Sequence, residues 1–426
     1  MPETLVEIVK NERTGESYKV VHHKSGLDLL LAPMKGYVQT SAMFGTNYGS
    51  INNCFRTNED SDFIKVPDGI AHYLEHKLFE NEDTDVFELY ARTGADCNAM
   101  TGFENTIYLF NCTENYQDSL RILLNFVQNP YFTQENVDKE RGIIEQEIKM
   151  TMDLPKRRCF FNLLNAMYHA HPIKIDIAGT VGSIQEITPE LLYECYNAFY
   201  NLHNMALAVA GNFDEKEVIA ICDEVLKPCA DNAKLEVSFP DEPESVVESR
   251  VEEEFKVGVP IFSIGFKCKD IEKNEIVKKE VTADILLSLI AGVVSPLYKE
   301  LLKEGLVTAE LESEVFDADG VFSLIISGES EDPDRVLERL IAHIDKLKKE
   351  GIDKEAFELM KKVSFGATIR NMTNPESYAE NMLAFHFHGL DAYEIERRLA
   401  EVTFEDITEG LNEFLDKEKC SLSIIR

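Results

Sequence analysis

Apolar and polar positions along this chain change period several times, and each change marks an element. From 68 to 80, DGIAHYLEHKLFE, apolar residues recur at helical spacing. The segment 133–150, TQENVDKERGIIEQEIKM, reads as an amphipathic helix with Glu140, Ile144 and Glu147 on one stripe at i, i+4, i+7. Two longer stretches, 186–210 and 401–425, align without gaps at an offset of 215 residues, half the chain, matching Glu, Thr, Glu, Glu, Asn and Phe. Each reads as a helix followed by an alternating strand, which predicts two homologous α/β domains that arose by duplication. Between them, 227–248 is rich in Pro, Asp, Glu and Ser and lacks periodicity. The expected organisation is a domain over 1–228, a linker over 229–247 and a second domain over 248–426.

The first copy alone carries a chemical motif. On a helix over 68–80, His72 and His76 project from one face a turn apart, so two imidazoles can share one metal ion. Glu75 follows His72 by three residues and precedes His76 by one, which leaves its carboxylate beside the pair and able to take a proton from water activated there. This is the zinc peptidase pattern with the acid in inverted position.

The pentapeptide alone is weak, because ten histidines and abundant Glu produce H-x-x-E-H by accident in about a few per cent of chains this long. A hydrolytic zinc site also needs a third protein ligand and one open position. The 133–150 helix offers one. A merely solvated helix puts its acids opposite the isoleucines, whereas here Glu140 and Glu147 share a stripe with Ile144.

The runs GIAHYLEHKLFE, GADCNAMTGFENTIYLF (94–110) and DKERGIIEQEI (138–148), in that order, resemble the pitrilysin/insulinase family of zinc metallopeptidases. IAGTVGSIQEIT (177–188) and FYNLHNMALAVAGNFD (199–214) extend the resemblance across the first half, and the two-domain length resembles bacterial processing-protease-like subunits. Carried onto this chain, the family pattern implies zinc held by His72, His76 and Glu147, Glu75 as general base, and Glu140 as an acid close to the ligands. The interval between His76 and Glu147 is a few residues shorter than the family commonly shows, but the E-R-x-x-x-x-Q-E pattern fixes the register. The implied reaction is amide hydrolysis, with Glu75 accepting a proton from water and returning it to the leaving amine.

The resemblance also implies an α+β fold of two homologous domains, each an antiparallel sheet flanked by helices, facing each other around a chamber. It makes the strand with Asn98, Ala99 and Met100 a sheet edge that accepts an extended peptide as an added strand, a mode that reads backbone more than side chains. Read without the family, that segment is an ordinary strand with a bulge at Gly102.

The second half departs from the family. Self-sufficient members carry S-x-L-x-x-E-L-R-E-x-G-L-x-Y, whose Arg and Tyr reach the substrate. Here SPLYKELLKEGLVTAE (295–310) puts Leu302 and Thr308 at those positions. Loss of a donor to the transition state costs about 10²-fold or more. The expectation is therefore a paralogous partner that supplies Arg and Tyr, a heterodimer. The alternatives are Tyr298 or another residue in a self-sufficient chain or homodimer, and a non-catalytic subunit that binds peptides as a scaffold.

Composition narrows the setting. At 426 residues and 44% hydrophobic, the chain can bury real cores. A net charge of −34 excludes nucleic acid as a partner and attracts cationic peptides, although an acidic surface also simply keeps soluble proteins apart. Nine scattered cysteines without C-x-x-C spacing predict reduced thiols and a cytoplasmic protein. The polar N-terminus does not read as a signal peptide, and the longest apolar run, 283–294, is short for a membrane span. The pairs His22 and His23, His169 and His171, and His386 and His388 lack patterned acids and read as ordinary core or surface histidines. No nucleotide-binding or serine-hydrolase motif is present.

Overall fold

A computed structural model of the chain describes residues 5–57, 62–82, 85–229, 235–269 and 271–426. Its strands are β1 (Leu5–Lys10), β2 (Ser17–His22), β3 (Asp28–Pro33), β4 (Thr40–Thr46), β5 (Cys54–Arg56), β6 (Ile64–Lys65), β7 (Asp96–Thr101), β8 (Thr106–Cys112), β9 (Met205–Gly211), β10 (Glu236–Val237), β11 (Arg250–Glu253), β12 (Ile261–Lys267), β13 (Glu312–Ala318), β14 (Val321–Glu329) and β15 (Cys420–Ile425). One compact unit holds a seven-stranded sheet ordered β1-β2-β3-β9-β4-β8-β7 and a small sheet β10-β5-β6; the other holds β11-β15-β12-β14-β13.

The repeat read from the sequence is present in the structure. Helix Pro189–Phe199 leads into β9 and helix Phe404–Glu413 into β15, at matching offsets. β9 runs parallel to β3 and antiparallel to β4, and β15 runs parallel to β11 and antiparallel to β12. The expected antiparallel sheets flanked by helices are present, and each of the two large sheets also contains one parallel pair. A late strand inserted between two antiparallel-oriented neighbours must run parallel to one of them.

Alternation along β9 explains how the first sheet is covered. Leu207 and Val209 join one core with Phe44, Tyr108 and Phe110, while Ala206, Ala208 and Ala210 join a second with Met382 and Leu383. The small alanines let helix Pro375–Phe387 lie close, and a Cβ on Gly45 of β4 would fall 2.6 Å from Leu383. In the other unit the same device recurs: Gly265 of β12 lies under helix Pro155–Met167, where a Cβ would fall 2.4 Å from Met167 Sδ.

These two covering helices are exchanged between the halves of the sequence. The first unit comprises Met1–Ile148, Asp176–Ser238 and Ile369–Glu394, and the second Lys149–Ile175, Phe239–Thr368 and Ile395–Arg426. The units thus cut across the expected division at 228 and 248. Of the expected linker, 230–234 lie outside the described residues; β10 pairs with β5, and Glu242 accepts from the backbone N–H groups of His169, Ala170 and His171.

The stretch 276–304 is long and apolar enough to cross a membrane, with 67% of its most apolar window buried. It folds as two helices, Ile276–Ala291 and Pro296–Glu304, separated at Gly292–Ser295. All nine cysteines are unpaired.

Candidate metal centre

Helix Ile70–Leu78 starts without a side-chain cap. Gly69 has φ +88°, and a Cβ there would meet Ala178 O at 2.4 Å; Gly179, with φ +73°, would likewise strike Asp68 O. Two backbones cross at this point because neither carries a side chain. The crossing explains why the helix begins two residues later than its periodicity indicates. The second helix, Gln134–Met152, is entered through reciprocal bonds between Thr133 and Asn136, the hydroxyl and amide each accepting the other's N–H.

The two helices are clamped on one side. The Tyr73 hydroxyl donates to Val137 O, and the fully buried Lys77 ammonium donates to Asn136 O at 3.3 Å and pairs with Glu80. Residues 73 and 77 form the clamping stripe, while 72 and 76 on the adjoining stripe carry the imidazoles.

That clamp brings distant residues together. His72 Nε2 lies 3.6 Å from Glu147 Oε1 and His76 Nε2 lies 3.4 Å from Glu147 Oε2, with the two rings 4.6 Å apart. Tetrahedral zinc with bonds near 2.0 Å sets its ligand atoms about 3.3 Å apart, so this His, His, Glu donor set fits the ion. Among the described residues these three form the one group of His, Cys, Asp or Glu able to converge on a metal. His76 Nδ1 lies 3.0 Å from Glu140 Oε1, whereas His72 Nδ1 is buried without a partner.

The local field is strongly negative. Burial pulls His76 down, but Glu140, Glu147 and Glu75 outweigh it and push the imidazole up to about 10. Glu147 is held well below the usual carboxylate range, chiefly by His72 and His76. A field that favours a proton on imidazole favours a divalent cation more.

Glu75 is buried at 8% exposure, and its Oε2 accepts from Thr101 Oγ1 at 2.7 Å. β7 is the edge of its sheet, paired only with β8 among the described strands. Its alternating exposure turns Asn98 and Met100 outward and Ala99 and Thr101 inward. The pairing with β8 is continuous from Asp96 to Thr101, so Gly102 begins the hairpin turn and is not a bulge. A cavity of about 650 Å³ borders Glu75, His76, Asn98 and Ala99, with Phe79, Phe87 and Ile143 supplying apolar wall.

The structure therefore brings His72, Glu75, His76, Glu140 and Glu147 into one cluster and sets Asn98, Ala99 and Met100 on the neighbouring edge. Sequence reading missed Tyr73, Lys77 and Thr101. A lysine inside an apolar helical stripe was a visible signal; Thr101 gave none.

The remaining histidine pairs are engaged elsewhere. His22 and His386 flank Asp28, His23 meets Ser25 and Asp223, His171 stacks on Phe239 and His388 lies near Glu104. In the second unit, Leu302 is 46% exposed and Thr308 is exposed.

Comparison with known proteins gives concordant matches. Residues 65–181 match the family model described as insulinase (peptidase family M16), and 186–364 match the peptidase M16 inactive domain. The chain is 35% identical over 422 residues, 98% of each chain, to a Bacillus subtilis protein named uncharacterized zinc protease YmfH. A crystal structure of an M16-like peptidase from Alicyclobacillus acidocaldarius superposes with a TM-score of 0.91 at 33% identity, covering 100% of this chain and 99% of that one. A protease from Helicobacter pylori shares the fold at a TM-score of 0.80 and 18% identity, covering 99% of each chain.

Proposed function

The chain belongs to the insulinase family, peptidase family M16, and from that premise we propose that it is a zinc-dependent endopeptidase acting on peptides or unfolded segments. The observation that carries this reading is the donor triangle of His72, His76 and Glu147 with Glu75 on the same helix. His72 and His76 would hold the ion through Nε2 and Glu147 through its carboxylate, with Glu140 orienting His76. When bound, zinc lowers the pKa of a coordinated water to about 7 and polarises the scissile carbonyl. Glu75 takes the proton of the attacking water and passes it to the leaving amine. Asn98, Ala99 and Met100 present the free edge of β7 to an extended substrate, whose side chains enter the adjoining cavity.

The same reading includes a paralogous subunit. Leu302 and Thr308 stand where self-sufficient relatives of the resembling pattern carry Arg and Tyr, and the exposed Leu302 has no polar group to offer a substrate. A homodimer or a self-sufficient chain is the simpler assembly, with Tyr298 in that role. A peptide-binding subunit that does not cut is the competing reading, supported by the same two positions; the intact donor set with its base weighs against it, since a scaffold has no need of either. Nine unpaired thiols support a cytoplasmic setting.

The test is cleavage of a long, quenched, unstructured basic peptide by the zinc-loaded chain beside Glu75→Gln. Cleavage that vanishes in the variant supports a peptidase that works alone and removes the need for a partner. Bound zinc without cleavage, restored by co-expression with a paralogue carrying the Arg and Tyr, supports the heterodimer. Bound zinc with no cleavage in either setting overturns the peptidase reading.

A further inference from the structure

Glu75 is buried, and its Oε2 accepts one hydrogen bond, from Thr101 Oγ1, 26 residues away in sequence. Thr101 is the last residue of β7, the edge strand, and its inward face is set by the alternation that turns Met100 outward. A threonine in a strand has a stiff χ1, so the direction of its hydroxyl is set by the backbone that carries it. By contrast, a glutamate ends in a broad torsion that a carboxylate can turn about unless something holds it.

We propose that Thr101 is a positioning residue for the base: its hydroxyl occupies Glu75 Oε2, fixes the rotation of the carboxylate and leaves Oε1 to meet the attacking water. Because the hydroxyl sits on β7, the orientation of the base is tied to the same strand whose free edge lies open to an added peptide. Displacement of that strand moves the hydroxyl, and with it the carboxylate. The kinetic consequence rests on the peptidase reading above, whereas the orientation of Glu75 is independent of it.

The experiment compares Thr101→Val, which keeps the shape and loses the donor, with Thr101→Ser, which keeps the donor. Both are prepared as full-length zinc-loaded chain, with the partner subunit if cleavage requires it. In Thr101→Val, kcat falls about 10- to 100-fold, the scale on which small misplacements act, while KM, zinc content and melting temperature stay near those of the parent. Thr101→Ser restores most of kcat. Crystal structures show the Glu75 carboxylate turned out of its parent position in Thr101→Val and returned to it in Thr101→Ser. Full kcat in Thr101→Val, equal loss in both variants, or an unmoved carboxylate in the Thr101→Val crystal overturns the inference. If the parent itself does not cleave, the peptidase reading fails, and the crystallographic position of Glu75 still decides the role of Thr101.

Discussion

Glu140 Oε1 lies 3.0 Å from His76 Nδ1, across 64 residues of sequence, and leaves Nε2 of that ring directed toward Glu147. A carboxylate on the far nitrogen fixes both the tautomer and the ring plane of a metal-binding histidine. Glu140→Gln is expected to lower zinc affinity about 10- to 100-fold without removing a ligand, as measured by competition with a chromogenic chelator. Unchanged affinity would show that packing alone orients His76.

Removal of ligand and removal of base are expected to separate. His72→Ala, His76→Ala or Glu147→Ala leaves two protein ligands and yields a chain purified without stoichiometric zinc. Glu75→Gln keeps the ion and loses turnover by at least about 10²-fold, the lower range for general-base catalysis. Elemental analysis beside peptide cleavage distinguishes the two outcomes.

Gly69 caps the start of helix Ile70–Leu78 at a position that admits no side chain. Gly69→Ala combines a positive φ with a Cβ 2.4 Å from Ala178 O, and is expected to destabilise by about 1–3 kcal/mol. Denaturant unfolding measures the loss. Zinc content should fall in the same variant, because the backbone that must move leads straight into His72.

Glu242 predicts a specific acid lability in the second unit. Burial pushes its carboxyl up, but the Lys267 ammonium at 2.6 Å and three backbone N–H groups outweigh that and hold it down at about 2. Lys267, for its part, is drawn down by its own burial against the pull of Glu242. A depressed folded pKa means that the unfolded chain binds the proton first. The stability from Glu242 is therefore complete above the ordinary glutamate pKa of about 4.3 and is lost as pH falls toward 2. Glu242→Ala is expected to cost about 3–5 kcal/mol near pH 7, because it leaves the buried Lys267 ammonium bonded to Met167 O, Pro243 O and Ser245 O but without its counter-charge, and to flatten the pH dependence of unfolding over that acid window. A parallel downward shift with the same pH slope would contradict this account.

The sequence by itself determined what is local. Four-residue spacing placed His72 and His76 on one helix face, i, i+4, i+7 spacing placed Glu140 and Glu147 on another, and the offset repeat announced a helix and strand in each half. These features are legible because the period of a helix or strand is set by covalent geometry among neighbours.

What remained was decided only by tertiary packing. Helix 375–387 lies on the first sheet and helix 155–167 on the second, because alanines and a glycine in the central strands leave room for them there; no periodicity records which sheet a helix will cover. The parallel pairing of β9 and β15 follows from where each late strand inserts. The apolar stripe around Lys77 marks it as buried but not its partners, which only packing against Asn136 and Glu80 supplies, and Thr101 looks like an ordinary strand residue until Glu75 meets its hydroxyl. Contacts between residues tens to hundreds of positions apart depend on register and on the fit of whole faces, and a chain fixes those only when it packs.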